Sequence, residues 1–331
     1  MPMSEPPLLE VRALDVGYPV PGDGLLSRSR ILPIVREVSF ELAAGRTLGI
    51  VGESGCGKST LGRAILRLNR PTGGQVLFQG EDMAGLSAEA MRRRRAEVQI
   101  IFQDPLAALD PRMTVLASVT RPLVTFAPAL SRKEREARAR AALERVGLGP
   151  DFAGRYPHEL SGGQAQRVGI ARALVGGPRL VVCDEPVSAL DVSVQAQVVN
   201  LLMDLQDQLG LALVFISHNL AVVRQMAHEV VVMCLGRVVE KAPRRAFFDH
   251  PLHPYSQALM DAVPEPDPAR ERARRGTAIR GELPSVLNPP AGCVFATRCP
   301  LAQPRCHAER PELRDFPGGR AAACHFIEGT S

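Results

Sequence analysis

Apolar residues occur along this chain in short, nearly unbroken runs set between longer mixed segments. Leu48–Val51, Leu180–Cys183, Ala212–Ile216 and Val230–Cys234 are such runs. Each is strand-sized, rich in Val, Ile and Leu, and reads as a strand covered on both faces. Segments of helical pattern separate them. That alternation predicts a mostly parallel α/β sheet up to about residue 242. Residues 105–175 differ. They are helix-rich, and SRKEREARARAALERVGL (131–148) reads as an amphipathic helix stopped at Gly147, which predicts a helical insertion. Past residue 242 the pattern fades. PEPDPARERARRG and PSVLNPP read as a linker or irregular extension, and the last forty residues show little periodicity.

No apolar run reaches the ~20 residues that a transmembrane helix needs. The N-terminus, MPMSEPPLLE, lacks the basic start and apolar stretch of a signal peptide. A cytosolic chain is expected, with reduced cysteines. Its 331 residues exceed one average domain. The net charge is 40 − 35 = +5, well short of the balance of an obligate nucleic-acid binder. With no Trp and only 4% aromatics, extensive stacking on bases is disfavoured, and no nucleic-acid partner is expected. The basic runs Arg92–Arg95 and Arg270–Arg275 read first as solvated surface.

Candidate chemistry begins at GESGCGKS, Gly52–Ser59, which matches G-x-x-x-x-G-K-[ST] between an expected strand and an expected helix. Gly55 and Gly57 let the backbone wrap phosphates, and Ser54, Cys56 and Thr60 complete the loop and its exit. Lys58 can reach the β and γ phosphates of a bound nucleotide, and the Ser59 hydroxyl can ligate Mg²⁺. LVVCDEP, Leu180–Pro186, places two carboxylates at the C-terminal end of a strand, where α/β sheets bind ligands. Asp184 suits the metal and Glu185 the role of general base. Either motif alone has a bland reading, a Gly-rich turn or a solvated acidic turn. Together they support each other.

LSGGQAQR, Leu160–Arg167, lies between them. With the two preceding motifs it resembles the ATP-binding cassette (ABC) ATPases, whose signature is LSGGQ. The resemblance implies a P-loop NTPase fold: a RecA-like parallel core, N-terminal antiparallel strands and a helical subdomain. It also implies a head-to-tail dimer in which Ser161, Gly162, Gly163 and Gln164 of one subunit meet the γ-phosphate held by the other. By the same resemblance Gln103, in IFQDP, contacts Mg²⁺ and the attacking water. SALD, Ser188–Asp191, crosses the dimer interface, and His218, in FISHNL, contacts the γ-phosphate. Tyr18, in VGYPV, is expected to stack on adenine. Ala165 departs from the glutamine that many members carry there.

HPLHPYSQALMDAVP, His250–Pro264, together with GELPSVLNPPAGCVFATRCP, resembles the ATPases of oligopeptide and dipeptide importers. The match runs through essentially the whole chain, with residues 1–250 as cassette (helical subdomain about 105–175) and 251–331 as extension. The stretch from Tyr18 to about Ile34 is similar to the longer loop of one of two paired ATPases. The resemblance implies a second ATPase subunit, identical or paralogous, two transmembrane permeases and an extracytoplasmic solute-binding protein. It implies a peripheral position on the cytoplasmic face of the inner membrane. Nickel or another small solute is an alternative cargo. A soluble ABC ATPase acting on nucleic acid, or a regulatory cassette without turnover, are rival readings that the single cassette and complete motif set oppose.

Four of the seven cysteines, Cys293, Cys299, Cys306 and Cys324, form C-x5-C-x6-C-x17-C. That is not the usual zinc spacing. Four thiolates can hold an iron–sulfur cluster, and some members of the resembled family carry [4Fe–4S] in this extension. A [4Fe–4S] cluster, zinc and free thiols are all open from the sequence. Cys183 and Cys234 read as small buried hydrophobes.

Overall fold

The computed structural model describes residues 6–21, 30–263, 284–285 and 287–327. The expected longer loop lies in part, and the Arg-rich linker including Arg270–Arg275 wholly, outside the described residues. The elements in chain order are β1 (Leu9–Val20), β2 (Arg30–Leu42), β3 (Thr47–Val51), α1 (Lys58–Ile65), β4 (Gly73–Phe78), β5 (Glu81–Asp82), α2 (Ala88–Glu97), β6 (Val98–Ile101), α3 (Val115–Phe126), α4 (Arg132–Arg145) and α5 (Gly162–Leu174). Then come β7 (Leu180–Asp184), α6 (Val192–Leu209), β8 (Ala212–Ile216), α7 (Leu220–Met226), β9 (Glu229–Cys234), β10 (Arg237–Pro243), α8 (Arg244–Asp249), α9 (Pro254–Asp261), α10 (Pro304–Ala308), β11 (Arg314–Phe316) and β12 (Arg320–Ala322). The four expected buried strands are β3, β7, β8 and β9. All residues of β3, β7 and β8 are buried, as is β9 after Glu229.

The chain divides into two compact units. One comprises residues 10–40, 48–76 and 218–331. Its strands run in the order β11-β12-β10-β9-β3, with β2-β1-β4 in a second sheet. β3 pairs parallel with β9 from Leu48↔Glu229 to Val51↔Val232. β9 turns back on β10 with a bulge between Val238 and Glu240. The tail is more regular than its composition indicates. β12 pairs antiparallel with β10, and β11 with β12. Three-residue strands are too short to show a period, so the pattern could not announce them.

The other unit comprises residues 1–9, 41–47 and 77–217. Its strands β8, β7 and β6 are parallel neighbours, in register from Leu180↔Ala212 to Asp184↔Ile216 and from Val98↔Leu180 to Ile101↔Cys183. The helical insertion is α3, α4 and α5. Ser131 and Glu134 form a reciprocal cap that starts α4, the Ser–x–x–Glu pattern that satisfies two otherwise orphaned N–H groups. The helix buries only Ala139, Ala142 and Leu143, a narrower apolar stripe than expected. It ends as its pattern implied, with the Gly147 N–H donating to Glu144 O and the Leu148 N–H to Leu143 O. Three residues of the Arg92–Arg95 run are exposed and Arg94 is half-buried. Arg93 pairs with Glu89 at 2.9 Å, and Arg94 with Glu81 at 2.6 Å and Glu97 at 3.0 Å. The solvated-surface reading of this run holds.

Candidate active site

In the first unit, β3 ends at Val51 and the chain turns through Gly52–Gly57 before α1. Gly52 has φ +153°, and a Cβ there would sit 2.2 Å from the Met233 carbonyl oxygen, so no side chain fits. Gly55 and Gly57 have φ +80° and +101°, which curls the loop and leaves the N-terminus of α1 facing the turn. Lys58 is buried, yet its ammonium lies over the loop, donating to Gly52 O at 2.8 Å and Glu53 O at 3.0 Å. Ser54 and Gly55 are exposed, and Ser59 and Thr60 are half-buried. Cys56 is 1% exposed, and burial pushes its thiol up from the ordinary range. An enclosed thiol whose pKa is raised by burial is a poor nucleophile. Tyr18 is 40% exposed on β1, and its hydroxyl accepts from Asn69 Nδ2 at 2.7 Å. Its ring is therefore available for stacking. His218 is exposed, one residue before the Asn219 cap of α7.

In the second unit, β7 ends at Asp184 and Glu185 opens the turn after it, both buried. Glu185 has φ 48°, a left-handed conformation uncommon for a side-chain-bearing residue. The turn over-determines it. The Glu185 N–H donates to Ile216 O at 3.1 Å, and its carbonyl accepts from the Ser188 N–H and hydroxyl at 3.2 and 3.0 Å. The carboxylate accepts from Gln103 Nε2 at 3.3 Å. The expected base and the expected glutamine are thus brought together, although 82 residues separate them. Ser161 caps α5, accepting from the Gln164 N–H, while the Gln164 side chain accepts from the Ser161 N–H. Gly163 serves packing, because a Cβ there would meet Val194 Cγ1 at 2.5 Å. Asp191 caps α6, and Val192 beside it is 82% exposed.

Sequence reasoning missed the surroundings of Glu53. The Glu53 N–H donates to the Tyr255 hydroxyl at 2.9 Å. Arg298 holds the Glu53 carboxylate with two bonds, Nη1 to Oε2 at 2.7 Å and Nη2 to Oε1 at 2.6 Å. No spacing rule links positions 202 and 245 residues apart.

Cys293, Cys299, Cys306 and Cys324 line one cavity of about 220 Å³ with His253 and Phe295. None of the four is joined in a disulfide. Burial raises Cys293 to about 11 and also raises Cys299, with the neighbouring thiols adding to both shifts. The donor set suits iron. However, among the described residues no three His, Cys, Asp or Glu side chains converge as a metal-holding group. Cys183 and Cys234 are buried as expected, and burial pushes Cys183 to about 12.

The glycine-rich strand-to-helix turn with its folded lysine defines a P-loop nucleotide-binding protein. The sequence matches the ABC transporter family over residues 35–188, and the C-terminal region of oligopeptide/dipeptide transporters over 239–306. It is 52% identical over 318 residues to the probable peptide ABC transporter ATP-binding protein y4tS of Sinorhizobium fredii, covering 96% of this chain and 89% of the relative. It is 54% identical over 284 residues to the oligopeptide transport ATP-binding protein OppF of Salmonella typhimurium, covering 86% and 85%. A solved dimeric ATP-binding cassette, MJ0796 in a post-hydrolysis state with ADP and Pi, superposes with TM-score 0.64 at 30% identity over 72% of this chain and 99% of that one. The chain belongs to the ATP-binding proteins of ABC transporters, and it is an ATPase of that type. No helix among the described residues is long and apolar enough to cross a membrane.

Proposed function

We propose that this ATPase drives a membrane importer of di- or oligopeptides. One observation carries the reading: relatives that cover 96% and 86% of this chain, its tail included, are named peptide or oligopeptide transport ATP-binding proteins. In this reading residues 1–250 are the cassette and 251–331 the transporter-specific extension. The chain sits on the inner face of the membrane against two permeases, beside a second ATPase, and is served by a solute-binding protein outside.

Phosphoryl transfer of this kind is mostly positioning and charge neutralisation. Lys58 leaves its loop carbonyls for the β and γ phosphates, and the loop N–H groups replace the water around them. Ser59, Gln103 and Asp184 are hard oxygen donors that fit Mg²⁺, which offsets phosphate charge when bound. Glu185 takes the proton of the attacking water, Gln103 orients that water, and His218 steadies the γ-phosphate. Ser161, Gly162, Gly163 and Gln164 complete the site of a partner subunit. The exposed Val192, next to the Asp191 cap, suits burial at such a contact. Tyr18 stacks on adenine. The test is Glu185→Gln in the full chain: retained ATP binding with nearly abolished phosphate release is expected, and full turnover would refute the assigned base.

The [4Fe–4S] cluster rests on the thiol set alone. Anaerobic purification followed by iron and sulfide analysis is expected to return both in stoichiometric amounts. An iron-free protein that folds normally would assign the four residues as plain thiols.

A further inference from the structure

The P-loop is held from behind. We propose that Arg298 and Tyr255 are positioning residues for nucleotide binding, clamping Glu53 so that the loop presents Lys58 to phosphate. The inference rests on the ATPase assignment and goes beyond it, because it makes the cysteine-bearing extension part of the nucleotide site.

Glu53 is the second residue of the Gly52–Ser59 motif. Its carbonyl and that of Gly52 accept from the Lys58 ammonium at 3.0 and 2.8 Å, and Cys56 Sγ lies 3.9 Å from it. A shift of Glu53 therefore moves one of the acceptors that hold that ammonium. Two independent grips fix Glu53. The Tyr255 hydroxyl takes its N–H at 2.9 Å and lies 3.4 Å from carboxylate Oε2. The Arg298 guanidinium takes both carboxylate oxygens in a planar fork, the geometry that gives such pairs direction as well as strength. The Arg298 side chain is 3% exposed and that of Glu53 24%, so the pair is shielded from water and salt over much of its surface.

The grips are themselves supported. Pro254 opens α9, and His253 Nδ1 accepts the Tyr255 N–H at 3.0 Å, which aims the tyrosine. The Tyr255 ring packs on Phe295 at 5.2 Å between centroids. The Arg298 N–H donates to Phe295 O at 3.0 Å, and its guanidinium lies 5.7 Å from the Phe295 ring. Cys293 and Cys299 bracket this short turn. Phe295 thus ties both grips to one element, and that element is the one carrying the first two cysteines of the cavity.

The experiment uses the full chain, Mg²⁺ and a fluorescent mant-ATP probe, with steady-state turnover and thermal melting measured alongside. Arg298→Gln is expected to weaken mant-ATP binding by roughly 10- to 100-fold, the scale of a small displacement of a positioning group. KM for ATP should rise with it while kcat changes less. Arg298→Lys keeps the charge without the fork and should restore only part of the affinity. Tyr255→Phe keeps the packed ring and should weaken binding on its own. Arg298→Gln combined with Glu53→Gln should be no worse than either alone, because both remove one interaction. Lowered melting temperature with unchanged affinity across these variants would overturn the clamp and leave Arg298 as a staple of the tail. If Arg298→Gln does not fold, unchanged affinity in Arg298→Lys and Tyr255→Phe overturns it equally. Failure of the unsubstituted chain to bind mant-ATP would overturn the ATPase assignment, and the clamp with it.

Discussion

Glu185 is the residue at which chemistry and backbone strain coincide. Its φ of 48° costs conformational energy that the surrounding turn must offset, and the hydrogen bonds to Ile216 and Ser188 supply that support. The carboxylate is therefore aimed rather than free. This makes Glu185→Asp informative beside Glu185→Gln. Aspartate keeps the charge but falls a methylene short of the 3.3 Å contact with Gln103. Loss of a positioned base is worth about 10²–10⁴ in rate, so both variants should fall by that order in phosphate-release assays while still binding ATP. Substantial activity in Glu185→Asp would mean that charge alone suffices and aim does not matter. The place of Glu185, directly after a buried strand, was legible in LVVCDEP. Its left-handed backbone was not, because that depends on Ile216 in another strand. The partners of Glu53 were illegible for the same reason: Tyr255 and Arg298 lie in segments that no local pattern connects to the phosphate loop.

At the scale of elements, the helix starts were the most readable part of the chain. Ser131 and Ser161 each precede a Glu or Gln by three residues, and Asp191 accepts from the Val194 N–H; each caps its helix as the local chemistry requires. Buried strands were equally clear, because unbroken Val, Ile and Leu runs have no solvated face. What could not be read was close approach between elements. Gly163 looks like part of a phosphate-binding signature, yet it also lets α5 pass the start of α6. Gly163→Ala places a methyl 2.5 Å from Val194 Cγ1. Overpacking of this kind costs about 1–3 kcal/mol, to be read from urea denaturation. Adding Val194→Ala should recover most of that stability, because the steric conflict is local to the pair. If ATP turnover then stays low in the refolded pair, Gly163 has a second duty at the nucleotide. If turnover returns, packing was its whole contribution.

At the scale of the molecule, three distant segments meet around Glu240. β10 supplies the carboxylate, β12 pairs beside it, and the backbone N–H groups of Leu252 and His253 each donate to it at 2.8 Å. His253 is itself buried, and burial depresses its imidazole from the ordinary 6.5 to about 4. Between those values the unfolded chain binds a proton that the folded chain does not. Stability from this group is thus complete above pH 6.5 and falls as pH drops towards 4, by about 3 kcal/mol in total. Glu240 works in the opposite sense. Burial raises its carboxyl, so the folded chain takes that proton first and gains stability from it as pH falls. The net slope in acid is the difference of the two. His253→Asn keeps an acceptor for the Tyr255 N–H but removes the titration, so its stability should fall less steeply between pH 6.5 and 4 than that of the unsubstituted chain. Urea midpoints across that range decide it. Parallel slopes would mean that His253 titrates as if exposed, and that the tail does not bury it against the cassette's sheet in solution.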